Sequence, residues 1–241
     1  MELGIAGKVA LVTAGSRGLG RATALALAGE GTRVMLSGRD ASSLAATRDE
    51  VAAVGVDVEV RTGDVTDPGE PALLVAATVE RFGGLDILVA NAGGPPTGRA
   101  LDLTDEAIDA ALNANLKTSV RLVRESLPHM RSAGWGRISC ISSYTVKQAA
   151  PMLALSNTAR TGLWAWIKTA AQDLASESSG ITLNMVCPGP HATDRMKELG
   201  GAGVMGDPTD FGAVVAFLSS AQAGFVNGSA VVVDGGATLA L

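Results

Sequence analysis

The stretch that most restricts what this chain can become is Lys8–Gly20, KVALVTAGSRGLG. Its residue types call for a buried strand over Val9–Thr13, a tight loop over Ala14–Arg17 and a helix opening at Gly18. Glycines at 15, 18 and 20 let the backbone come close to a diphosphate and aim the first helical amides at its charge. A glycine-bearing turn also serves purely structural ends. This one follows an apolar strand and runs into an amphipathic helix, the context that dinucleotide binding requires.

The same alternation runs through the rest of the chain. Strands are expected over Val9–Thr13, Arg33–Ser37, Val58–Thr62, Ile87–Ala90, Arg137–Ile141, Thr182–Cys187 and Ala230–Val233. Most are apolar at every position, as in a parallel sheet covered on both faces. Helical patterns lie between them: Gly18–Glu30, Ala41–Val54, Pro68–Phe82, Thr104–Arg131, Ser156–Ser178 and Pro208–Ser219. Asp67-Pro68 and Asp207-Pro208 each read as an N-cap followed by proline in the first turn. Gly31, Gly55, Gly83 and Gly180 fall where helices should stop. The expected architecture is α/β: one doubly wound Rossmann domain over residues 1–241, with a parallel sheet of about seven strands.

Composition removes several classes of function. With 241 residues, 47% of them apolar, the chain can bury one full core. Its net charge of −5 and lack of a long basic run argue against a nucleic-acid partner. No apolar stretch reaches the roughly 20 residues that span a bilayer, and Met1–Gly7 is too short for a secretory leader. Cys140 and Cys187 sit in expected core strands, as reduced thiols of a cytoplasmic protein would. His129 and His191 are too isolated to suggest a metal site, so no metal is expected.

The end of the second strand bears on the cofactor. A carboxylate there holds ribose hydroxyls in sites that prefer NAD. Here the strand ends Leu36-Ser37-Gly38-Arg39, with no acid before Asp40. Arg17, Arg39 and Ser37 would welcome a 2′-phosphate, which favours NADP over NAD. The alternative is that Arg39 and Asp40 merely start a surface helix. Asp64 either accepts from an adenine amino group or caps the turn it occupies. At Asn91-Ala92-Gly93-Gly94 small residues leave room for a cofactor, and Asn91 can tie strand ends together.

Together these motifs resemble the short-chain dehydrogenase/reductase family, nearest to its ketoacyl-carrier-protein reductases. The resemblance covers essentially the whole chain. It rests on Thr13-Ala14-Gly15-Ser16-Arg17-Gly18-Leu19-Gly20, Asp64, Asn91-Ala92-Gly93, Asn115, Ser143, Pro188-Gly189 with Thr193, and Asp234-Gly235-Gly236. It implies an NADP-dependent oxidoreductase that interconverts a carbonyl and an alcohol. The implied cofactor contacts are that glycine loop, Ser37, Arg39, Asp64, Val65, Asn91, Ala92, Gly93, Arg160, Pro188, Gly189, the backbone near His191, and Thr193. Ala14 replaces the first glycine of the pattern.

A larger departure concerns proton transfer. The family places a tyrosine thirteen residues after the active-site serine and a lysine four residues further on. Counting from Ser143 gives Ser156 and Arg160, and Tyr144 is the chain's one tyrosine. Positions four apart share a helix face, so Ser156 and Arg160 keep the spacing. An alcohol is nevertheless a far weaker acid than a phenol, and arginine stays protonated where lysine can shuttle a proton. Three accounts follow. Tyr144 donates the proton, tuned by Lys147; or Ser143, Ser156 and a water pass it; or the fold has kept NADP but lost the reaction and serves as a regulatory or scaffold protein. The candidate catalytic set is Asn115, Ser143, Tyr144, Ser156 and Arg160.

Asn115 resembles the family residue at a helix kink that holds a relay water. Ser143 would polarise a carbonyl oxygen. His191 reads as a pocket-rim residue, and Asp194–Gly206 as a substrate lid whose Met196, Leu199, Val204 and Met205 suit an apolar small-molecule substrate. Trp164 and Trp166 lie off the apolar stripe of Leu163, Ile167, Ala170, Ala171 and Leu174. That second apolar side, with the family's habit of pairing this helix between subunits, implies a homotetramer.

Overall fold

A computed structural model of the chain describes residues 2–200 and 203–240; Met1, Gly201, Ala202 and Leu241 lie outside the described residues. Seven strands, β1 (Val9–Val12), β2 (Arg33–Gly38), β3 (Val58–Thr62), β4 (Ile87–Ala90), β5 (Gly136–Ile141), β6 (Ile181–Pro188) and β7 (Ala230–Val233), form one parallel sheet. Their order is β3-β2-β1-β4-β5-β6-β7. The described helices are α1 (Gly18–Gly29), α2 (Ala41–Ala52), α3 (Glu70–Phe82), α4 (Asp105–Leu112), α5 (Thr118–Ala133), α6 (Ala154–Ser176), α7 (Asp194–Glu198) and α8 (Pro208–Leu218).

Successive strand residues supply two separate cores, which is why the strands lack simple polar alternation. Val9, Leu11, Met35, Leu88, Ile138, Leu183 and Met185 pack with α3, α5 and α6 on one face. Ala10, Val12, Val34, Leu36, Ile87, Val89 and Val186 pack with α1, α2 and α8 on the other. A Cβ on Gly212 of α8 would lie 2.6 Å from the Ala22 carbonyl oxygen, so that glycine lets α8 lie directly on α1. Strand order reverses between β1 and β4, which opens a crevice at their carboxyl ends, where such sheets bind ligands.

Three boundaries differ from expectation for identifiable reasons. α3 starts at Glu70 with Gly69 as its N-cap, not at Asp67-Pro68. Pro71 occupies the first turn, where its missing N–H costs nothing. The expected single helix over Thr104–Arg131 is two, α4 and α5, joined by a π-type turn at Asn113–Lys117. α6 begins at Ala154, one half-turn before Ser156. Asp207 does cap α8, its carboxylate accepting from the Thr209 N–H at 2.8 Å.

Candidate functional site

At the crevice, positions 15 and 20 leave no room for a side chain. The Gly15 N–H donates to the Ser37 carbonyl at 2.8 Å. A Cβ on Gly15 would sit 2.9 Å from Leu36 Cδ2, and one on Gly20 would collide with the Ala14 carbonyl oxygen. Ala14 itself holds φ +47, the left-handed conformation that its glycine counterpart would adopt without strain. Arg17 is the N-cap of α1 yet makes no side-chain cap, and no acid lies in the first turn. The leading amides of α1 thus keep their partial positive charge for a ligand. The Thr193 methyl faces them, 3.5 Å from where a Cβ on Gly18 would stand. Thr13 Oγ1 accepts from the Asn91 N–H at 2.8 Å and donates to the Asn91 carbonyl at 2.6 Å. This pair ties the ends of β1 and β4. Ser16 packs against Gly38 and Leu19 against the core, while Ala92 is half-buried and Gly93 exposed.

The end of β2 is cationic. Arg17 is exposed and the Arg39 side chain is 76% exposed. Asp40 is occupied as the N-cap of α2, accepting from the Ser43 N–H at 2.7 Å and the Ser42 hydroxyl at 3.1 Å. Those hydrogen bonds, Ser43 foremost, with a smaller contribution from Arg17, hold its carboxyl below the usual range. Asp64 accepts from the Thr66 N–H and hydroxyl at 3.0 and 2.9 Å. Its other oxygen lies 3.8 Å from Arg39. Two further expected contacts are buried. The Ser37 hydroxyl is sealed without a partner, and Val65 belongs to the core.

At the other end Ser143 follows β5. Its Oγ accepts from the Thr145 N–H at 3.2 Å and the Thr145 hydroxyl at 3.0 Å. Its own proton is therefore free to go to a substrate oxygen. Tyr144 is half-buried and opens a short 3-10 turn, Tyr144–Val146. The Lys147 Nζ sits 4.3 Å from the Trp164 ring centroid, drawn to the indole face. Beneath lies Cys187, whose thiol is pushed up to about 12 by burial.

Ser156 and Arg160 stand one turn apart on α6. Ser156 is half-buried, whereas Arg160 is only 7% exposed. Arg160 Nη1 donates to the Ile141 carbonyl at 3.1 Å, and its Nε has no partner. Burial brings this guanidinium down to about 10, opposed by Cys187 and reinforced by Arg195. Asn115 lies in the π-type turn, 3% exposed, with Nδ2 3.5 Å from the Ala111 carbonyl and Oδ1 unpartnered. Ser142 Oγ is likewise buried and unpartnered.

After β6, Gly189 packs so closely on Asp234 that any side chain would strike it, and its N–H donates to the Val233 carbonyl at 2.9 Å. Pro188, the last residue of β6, is half-buried. His191 is not a rim residue. It is 4% exposed, wedged edge-on to Phe211 at 5.4 Å, with Nδ1 3.0 Å from the Gly189 carbonyl oxygen. Thr193 caps α7, accepting from the Met196 N–H. Within the expected lid, Gly201 and Ala202 lie outside the described residues; the segment before them is the short helix α7. From α7 Arg195 reaches over the crevice, donating to the Pro95 carbonyl at 2.7 Å. Sequence reading missed this residue, because nothing local indicates a contact one hundred positions away.

Among the described residues no cluster of His, Cys, Asp or Glu could hold a metal ion, and no helix is long and apolar enough to cross a membrane. A doubly wound parallel sheet, a tight glycine loop under a helix with no side-chain cap, and a serine after β5 fit an enzyme of the dinucleotide-binding class. Comparison with known proteins narrows this. Residues 13–238 match the family model described as Enoyl-(Acyl carrier protein) reductase. The human "Dehydrogenase/reductase SDR family member 4" is 32% identical over 246 residues, covering 96% of this chain and 88% of that protein. The "D-beta-hydroxybutyrate dehydrogenase" of Rhizobium meliloti is 35% identical over 184 residues, 76% of this chain and 70% of that one. L-sorbose reductase from Gluconobacter frateurii, solved with NADPH and L-sorbose, superposes with a TM-score of 0.93 at 29% identity, over 100% of both chains. The chain belongs to the short-chain dehydrogenase/reductase family of oxidoreductases.

Proposed function

We propose that the protein interconverts a carbonyl and an alcohol with NADP(H), using a proton route other than the family's tyrosine and lysine. The observation that carries this is the loop cradle, where Gly15 and Gly20 admit no Cβ beneath the open amides of α1. Such a cradle fits a diphosphate. Arg17 is exposed, Arg39 is 76% exposed with only the Asp64 carboxylate near it at 3.8 Å, and Asp40 is spent on its own helix, which supports a 2′-phosphate over a bare ribose.

A bound nicotinamide supplies or accepts the hydride. The remaining work falls to the chain. Ser143 donates to the substrate oxygen with the proton that Thr145 leaves free. The proton for that oxygen comes from the Tyr144 phenol or from water passed along Ser143 and Ser156. A second reading, a protein that binds NADP without turnover, draws on Ser156 and on an Arg160 tied to Ile141.

The same reading makes the protein cytoplasmic and homotetrameric, with α6 and its Trp164 face meeting a second copy. A monomer by light scattering at micromolar concentration would refute the tetramer. Titration calorimetry with NADPH, NADP, NADH and NAD tests the cofactor; no saturation with any of them rejects the function. With turnover in hand, Tyr144→Phe separates the two proton routes. A loss of about 10²–10⁴ in kcat is expected if the phenol is the donor, and little change if water is.

A further inference from the structure

The turn after β5 carries both Ser143 and Tyr144. It is closed by the Val146 N–H donating to the Ser143 carbonyl at 3.3 Å and the Lys147 N–H to the Tyr144 carbonyl at 2.9 Å. Whatever holds this turn against the rest of the protein sets where the two hydroxyls stand. One side leans on α6: the Lys147 ammonium rests on Trp164, and the Asn157 side-chain amide donates to the Ala150 carbonyl at 3.0 Å. Further on, the Gly98 N–H donates to the Met152 carbonyl at 2.7 Å, which ties the segment to the loop after β4.

The other side is held from the segment after β7. The Leu239 N–H donates to Gln148 Oε1 at 2.7 Å, across 91 positions of sequence. Gln148 is half-buried, and its own N–H points back to the Tyr144 carbonyl at 3.4 Å. The segment that brings Leu239 there starts from a fixed base. Asp234, directly after β7, accepts from the Gly236 N–H at 2.9 Å with one carboxylate oxygen and from the Thr238 N–H at 2.8 Å with the other. Gly189 packs on Asp234 with no room for a Cβ, and its N–H donates to the Val233 carbonyl. Leu239 itself is 85% exposed, so side-chain burial does not account for the contact; the backbone N–H does.

We propose that Gln148 is a positioning residue. By accepting from Leu239 it lets the segment after β7 act as a strap that holds the Ser143–Gln148 turn, and with it the Ser143 hydroxyl and the Tyr144 phenol, in place at the reaction end of the crevice. The proposal rests on the reading of this crevice as a site of carbonyl and alcohol interconversion.

The test is hydrogen exchange over residues 143–148 of the full chain, read by mass spectrometry, beside steady-state turnover and titration with NADPH. Gln148→Met removes the acceptor and Leu239→Pro removes the donor. Each should speed exchange of the turn about three- to tenfold and lower kcat by about as much, with KM and nucleotide affinity within about twofold. The double variant should match either single one, since both cut the same hydrogen bond. Gln148→Glu, which keeps an acceptor oxygen, and Leu239→Ala, which keeps the N–H, should behave as the unaltered chain. Unchanged exchange in Gln148→Met overturns the proposal, as does a Leu239→Ala that matches Leu239→Pro. So does faster exchange with kcat intact, because the turn then needs no strap. A fall in nucleotide affinity equal to the fall in kcat would make the contact merely structural and overturns it too. Absence of turnover or of nucleotide binding in the unaltered chain overturns the preceding function instead, and exchange of the turn still decides whether the strap holds it.

Discussion

At the nucleotide end of the crevice, backbone does the recognising. Gly15 and Gly20 are fixed by collisions with Leu36 and Ala14, and the Thr13–Asn91 pair closes its own hydrogen bonds in both directions. At the reaction end, side chains do the recognising, and they are left unfinished. Of seven buried side-chain polar atoms without a partner among the described residues, four belong to Asn115, Ser142, Asn157 and Arg160 around that end. A backbone site tolerates almost no substitution and so keeps its form. A side-chain site can exchange tyrosine for Ser156 and lysine for Arg160 without disturbing the sheet beneath, because α6 is held by Leu155, Leu163, Ile167 and Leu174 on its buried face. Unsatisfied polar atoms are normally rare in folded proteins, so their concentration here marks where a ligand completes the structure.

The strongest attempt to break this contrast is to restore the missing pair. Ser156→Tyr with Arg160→Lys should raise turnover of neutral ketones by about 10²–10⁴, read as NADPH oxidation. If nucleotide binds normally and no gain follows, the nucleotide end alone does not make the cleft competent. Next in size is Ser143→Ala. If its hydroxyl donates to the developing oxyanion as proposed, its loss should lower kcat by about 10²–10³ while nucleotide affinity stays constant. A parallel loss of affinity would mean that the two ends are not separable. Arg39→Ala acts only at the nucleotide end. It should weaken NADP about five- to tenfold and leave NAD unaffected, the difference shrinking as salt is raised. An equal effect on both nucleotides would remove Arg39 from 2′-phosphate recognition.

Legibility in the sequence follows the same divide. The seven strands and the glycine loop were readable because they depend on residues adjacent in the chain: apolar runs, Gly15, Gly18 and Gly20, and Asp207 before Pro208. The start of α3 was misread because two prolines compete, and Pro71 rather than Pro68 occupies the first turn. The π-type turn at Asn113–Lys117 leaves no mark on helical periodicity, since one inserted residue hardly alters it; only the resemblance, through Asn115, points to a kink there. His191 reads as a pocket-rim residue because its burial depends on Phe211 twenty positions later. Lys147 turns to Trp164, and Arg195 to Pro95, through contacts that only the folded sheet creates.

Ala14 tests the nucleotide end from within, with the smallest effect. Its φ of +47 places an L-residue where the Cβ crowds the following carbonyl. Glycine would relieve that strain, at the expense of a more flexible unfolded chain, which offsets part of the gain. The two terms leave a net stabilisation of about 0.5–1 kcal/mol for Ala14→Gly, or about 1–4 °C in Tm for a chain of this size. Calorimetric melting with and without NADPH reads both quantities. If backbone shape alone sets nucleotide affinity, the Tm rise should be equal in the two states, because Ala14 already holds the bound conformation. A larger rise with NADPH present would show that alanine distorts the cradle. The nucleotide end would then be, like the reaction end, a site that its ligand completes.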